Sequence, residues 1–163
     1  PMAKVSPDVD LTRFDPYRAR SWGQAGIPKA VKERFAGKHT CTAARVRSWA
    51  DAQQAVLQGY PVMLCSEQAF VRTRDADGFA APNPGDRWPH AMALLGVRAD
   101  KPGGFILNSW GDRFHTGPRG PGDPPAAGFW ASADAIDRMC RSGDCWAFSQ
   151  FAGFPARKID WYA

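Results

Sequence analysis

The chain has 163 residues and a mass of 17.9 kDa, the span of one ordinary domain, which excludes a multidomain machine. Hydrophobic residues make up 44% and aromatic residues 12%, enough apolar surface for a packed core, so disorder throughout is excluded. The 21 Lys and Arg against 16 Asp and Glu give a net charge of +5, but the basic residues are dispersed without interleaved aromatics, and no apolar run approaches the roughly 20 residues of a membrane span, so neither nucleic acid nor membrane is an expected partner.

Residues 1–26 contain Pro1, Pro7, Pro16, Gly23 and Gly26 without a sustained hydrophobic period and read as an extended lead-in. Their start, Pro1 to Val5, has no signal-peptide hydrophobic segment; the chain reads as soluble and its compartment as unknown. The run PKAVKERFA from Pro28 to Ala36 puts Pro at a helix start and Gly37 just past its end. Ser48 caps a second helix, with Asp51 three residues on and an apolar face of Trp49, Ala52, Val56 and Leu57; Gly59 stops it. Short apolar runs then follow, at Pro61 to Ser66, His90 to Val97, Gly104 to Trp110, Gly128 to Ala131 and Cys145 to Phe151, which predict buried strands. Turn signals separate them at 75–78, 101–104 and the Pro/Gly-rich 117–127. One helix interrupts the series, from Ala133 to Met139 with Ser132 as its cap. The sum is an α+β fold with helices first and a dominant sheet after: lead-in 1–26, sheet-rich domain 27–155 and C-terminal tail 156–163.

The four cysteines, Cys41, Cys65, Cys140 and Cys145, match no paired zinc-site spacing, and no metal is expected. Cys41 and Cys65 lie in apolar contexts that predict small buried hydrophobes, and Cys140 and Cys145 read as reduced thiols. Asp75 and Asp77 flank a turn and stabilise it; a calcium loop needs further ligands at set spacing. His39 and His115 sit in polar loop sequence and are expected at the surface.

Chemistry concentrates in two segments. PHAMALLGV carries His90 at the head of an apolar strand, and 18 residues later LNSWG ends another strand with Asn108, Ser109, Trp110 and Gly111. An imidazole acting as general base keeps one nitrogen free and needs the other held by an acceptor, which a side-chain amide oxygen supplies. Adjacent strands would give His90 and Asn108 those roles, and an indole at Trp110 would exclude water from the pair.

At these residues the sequence resembles the papain family of cysteine peptidases, in which a strand beginning His-Ala and a later Asn-Ser-Trp-Gly supply the His and Asn of a Cys-His-Asn triad. GYPVMLCSEQAF, GFWAS and CWAFSQFAGFP resemble further strands of that family, so the likeness covers Gly59 to Pro155. It implies a papain-like antiparallel sheet or half-barrel lobe with a few short helices, peptide hydrolysis without a cofactor, and a peptide or protein substrate. In that family the nucleophilic Cys starts a helix, precedes Trp and follows a Gln by six residues; no cysteine here meets all three conditions. Cys145, in GDCWAFS, has the Trp, but Met stands at position 139 and the segment follows His90 and Asn108. As a nucleophile Cys145 implies a circularly permuted enzyme, whereas CWAFSQFAGFP as the closing strand implies no rearrangement. The leading expectation is a C-terminal portion, inactive alone, whose nucleophile comes from an upstream helical lobe or a companion chain. The alternative is a non-catalytic papain-like module in a larger assembly, with the stretch from Pro118 to Pro125 as a contact surface.

Overall fold

The computed structural model describes residues 4–6, 9–10, 12–13, 15–35 and 40–152, and the chain divides into two compact units, residues 1–41 with 150–163 and residues 42–149. In the first unit, β1 (Lys4–Ser6) and β2 (Val9–Asp10) form an antiparallel pair. Helix α1 (Pro16–Ala25) follows, although this stretch was expected to be extended. Its start is encoded locally: the Asp15 side chain accepts from the amides of Tyr17 and Arg18 at 2.9 and 3.1 Å, and Pro16 stands in the first turn. No residue of α1 is buried, so it carries no apolar period for a sequence reading to find. Helix α2 (Lys29–Phe35) lies within the run predicted from Pro28 to Ala36, and the Pro28 carbonyl accepts from Val31 and Lys32.

The second unit is built on a six-stranded sheet in the order β3 (Thr40–Val46), β8 (Cys145–Ala152), β4 (Val62–Phe70), β5 (Pro82–Arg98), β6 (Gly103–Leu107), β7 (Gly128–Ser132). The pairs from β8–β4 through β6–β7 are antiparallel. With a few short helices this is an α+β fold. Strand β5 is 17 residues long, and the predicted His90-to-Val97 run is only its second half. Pro82, Pro84, Gly85 and Pro89 disguise the first half, which pairs with β4 through shifted registers, Gln68 opposite Arg87 and Phe70 opposite Pro82.

Alternation along the strands turns Val62 and Leu64 of β4, Met92 and Leu94 of β5 and Ile106 of β6 into one core. Helix α4 (Ala133–Ser142) closes that core with Ala135, Ile136, Met139 and Cys140, and α3 (Trp49–Leu57) adds Ala52. Ser48 and Ser132 cap these helices as expected, accepting from the amides of Asp51 and Ala135. The Trp49 amide donates to Asp137 Oδ1 at 2.8 Å, tying the start of α3 to α4. Each large side chain buried here contributes about 1.5–3 kcal/mol.

Three expectations on individual residues are corrected. Cys41 is exposed, because β3 turns only Val46 inward, and Cys65 is half-buried. His115 is buried at 2% exposure, because the irregular segment after β6 folds over the sheet and carries its ring inward. His39 lies outside the described residues. Asp75 does hold its turn, its Oδ1 accepting from the amides of Asp77 and Phe79 at 3.0 and 2.8 Å. Among the described residues no helix is long and apolar enough to cross a membrane.

Gly143 joins α4 to the sheet: its amide donates to Met139 O, the next amide donates to Cys65 O, and an added Cβ would stand 2.1 Å from Cys65 O. Gly143→Ala therefore lowers the unfolding free energy by about 2 kcal/mol or more, read as a fall in the urea midpoint at unchanged slope.

Candidate functional site

On β5 the residues Trp88, His90, Met92 and Leu94 share the core-facing side of the pleat. Trp88, Met92 and Leu94 are buried; His90 is half-buried, at the point where β6 has ended and the core opens. Asn108 is the first residue past β6 and is 4% exposed. Its amide donates to Ala127 O at 3.2 Å, which fixes its backbone against the residue preceding β7. Its side-chain oxygen Oδ1 lies 3.0 Å from His90 Nε2. An amide oxygen only accepts, so Nε2 carries the proton and the Nδ1 lone pair is left free in the neutral ring.

Trp110 lies over the imidazole, with ring centroids 4.5 Å apart and planes 18° from parallel. Trp88 and Phe114 hold the indole edge-on at 4.8 and 4.6 Å. Trp110 covers one face of the imidazole while remaining 40% exposed itself. The structure thus brings His90, Asn108 and Trp110 together.

Cys145 stands elsewhere. It lies one residue before the Trp146↔Met63 pair, on β8, and β4 separates β8 from β5, so it is two strand spacings across and two residues along from His90, roughly 12 Å. Its Sγ is buried and donates to Met139 O at 3.5 Å. A hydrogen bond with the neighbouring Cys140 thiol draws its pKa down against the effect of burial, while the same contact and burial push Cys140 up. Cys65 sits opposite Ala91, one step from the Ser66↔His90 pair, and alternation turns it to the other face of the sheet. Burial raises its pKa, and Cys145 and Asp144 add to that. None of these three thiols stands beside His90 Nδ1.

Two features of the site have no clear signature in the sequence. A largely apolar pocket of about 500 Å³ lies on the sheet face turned away from the core, lined by Met63, Ala91, Ala93, Leu107, Phe148 and the Asn108 segment. Only the alternation of Met63, Ala91 and Ala93 against their buried neighbours hints at it. The second is a buried aromatic and cationic layer beneath Trp110, in which the His115 ring packs on Phe129 at 4.4 Å and Phe114 at 4.9 Å. Burial pushes the His115 pKa down to about 4, with Arg74 and Arg72 adding to the fall and the Arg72 backbone offsetting part of it.

No protein-family model and no curated protein matches the chain. The chemistry open to the site follows from its geometry: a half-buried imidazole in one tautomer, held by a buried amide and covered by an indole, can accept and return a proton at Nδ1.

His115 makes stability depend on pH. The unfolded chain takes up this proton near pH 6.5 and the folded chain only near pH 4, so the full contribution is present above pH 6.5 and is lost as pH falls toward 4. Unfolding free energy measured across that window falls by about 3 kcal/mol, and His115→Leu flattens the slope there.

Proposed function

We propose that this chain supplies the general base of a cysteine peptidase of the papain-like kind, with His90 as base and Asn108 as the residue that orients it. The observation that carries the reading is the 3.0 Å contact from His90 Nε2 to Asn108 Oδ1 beneath the stacked Trp110. The segments PHAMALLGV and LNSWG resemble those of that family, and the two residues the resemblance selects are hydrogen-bonded.

In this mechanism a cysteine thiol from an upstream helical lobe or a companion chain approaches Nδ1 and gives it a proton. The thiolate attacks a peptide carbonyl, the imidazolium returns the proton to the leaving amine, and water activated at Nδ1 then releases the acyl group. Asn108 Oδ1 accepts from Nε2–H in both charge states of the ring, so the imidazole keeps its orientation through the cycle. The Trp110 ring limits water at the Nε2 side, which strengthens that bond.

A second reading, a non-catalytic module of the same architecture in a larger assembly, draws on the placement of Cys65, Cys140 and Cys145 away from Nδ1.

The natural protein, purified with whatever precedes or accompanies this chain, is assayed for thiol-dependent peptide hydrolysis. Hydrolysis is expected to be blocked by iodoacetamide, to fall about 100-fold or more in His90→Ala and about tenfold or more in Asn108→Ala. Undiminished hydrolysis in His90→Ala rejects His90 as the base, and absence of hydrolysis in the natural protein favours the non-catalytic module.

A further inference from the structure

Arg74, in the connection between β4 and β5, is 5% exposed, and among the described residues no carboxylate pairs with it. A buried cation without a counter-ion is costly unless its donors are well matched. Its two terminal nitrogens, though not Nε, meet backbone carbonyls, four in all: Nη1 donates to Ala126 O at 3.1 Å and Gly128 O at 2.7 Å, and Nη2 to Gly117 O at 3.0 Å and His115 O at 3.4 Å. One guanidinium therefore spans both limbs of the long irregular segment between Asn108 and β7. The backbone adds to the clamp, since the Arg74 amide donates to Thr116 O at 2.9 Å and the Thr116 amide to Arg72 O at 3.0 Å.

Both limbs lead to the site. On one, the carbonyls of Ala126 and Gly128 bracket Ala127, whose own carbonyl accepts the Asn108 amide at 3.2 Å. On the other, His115 and Gly117 follow Phe114, which holds the edge of Trp110 at 4.6 Å. Arg72 lies over the Phe114 ring itself, 4.6 Å from its centroid. The segment has no helix or strand of its own to hold these two ends.

We propose that Arg74 is a positioning residue for the His90–Asn108 pair: its buried guanidinium sets where the Asn108 backbone and the Trp110 ring stand, and through them the tautomer and cover of the imidazole. A planar fork of donors can bridge two limbs of a loop; a lysine ammonium, a single point of charge, cannot reach all four carbonyls at once. The proposal takes His90 and Asn108 as the working pair proposed above, but its test reads geometry and not hydrolysis, so a failed peptidase assay and a failed clamp are separate results.

The test is NMR of the full chain with ¹⁵N-labelled histidine at neutral pH. The unsubstituted protein gives His90 a nitrogen pattern of one tautomer, protonated at Nε2, and ring protons displaced upfield by the stacked indole. In Arg74→Lys the pattern moves toward a mixture of tautomers and the upfield displacement falls by half or more. Ile136→Val, on the core-facing side of α4, loosens packing outside the segment and leaves both signals in place. Gly117→Ala provides a second perturbation, because a Cβ there would stand 2.7 Å from Arg74 O and push the limb off the clamp. A folded Arg74→Lys with unchanged His90 signals overturns the proposal. If that variant does not fold, Gly117→Ala decides by the same criterion, and failure of both to fold also overturns it, since Arg74 would then serve the fold and not the pair.

Discussion

The period-two pleat of β5 is the constraint on which the rest of this unit depends. One side of the strand carries Trp88, Met92 and Leu94 into the core, so a residue at position 90 must face the same way. The opposite side carries Ala91 and Ala93 into the apolar pocket. Core, imidazole and pocket are thus three consequences of one strand lying in one register against β4 and β6. A slip of one residue would place His90 on the pocket side and Ala91 under the aromatics, and the hydrogen bond to Asn108 would be lost.

Polar groups gather just where that core ends. Asn108, Arg74 and His115 are the buried polar or charged residues among those described; Asn108 and His115 lie in the connection between β6 and β7, and Arg74, from the connection between β4 and β5, donates to that same segment. Asn108 meets an imidazole, Arg74 meets carbonyls, and His115 sits among aromatic rings with its charged form disfavoured. Burying such groups opposes folding unless geometry satisfies them. Concentrated beside a half-buried histidine, they give the imidazole a fixed orientation at the expense of stability in acid.

Much of this was legible in the primary structure. The strands from Val62, Gly103, Gly128 and Cys145, the caps at Ser48 and Ser132, and the turn at Asp75 follow from alternation and turn chemistry, which act over a few residues. So does the contact of His90 with Asn108, because His90 heads an apolar run and Asn108 ends another, each with a Trp two residues away, although His90 in fact lies in the middle of β5. Helix α1 escaped notice because no face of it is buried, and the first half of β5 because its prolines and glycine mimic a loop. His115 was misjudged because polar neighbours in sequence say nothing about what lies above them in space.

By itself, then, the sequence determined the α+β class and singled out His90 and Asn108, which the structure brings into hydrogen-bond contact, since both rest on local patterns of residue type. Only the tertiary structure decided that Cys65 faces away from His90, that Cys145 lies beyond β4 with its thiol in the core, and that Arg74 bridges the segment carrying Trp110. Strand order, register and the closure of a long irregular loop are set by contacts between residues far apart in the chain, and their energies carry no signature in any short stretch of it.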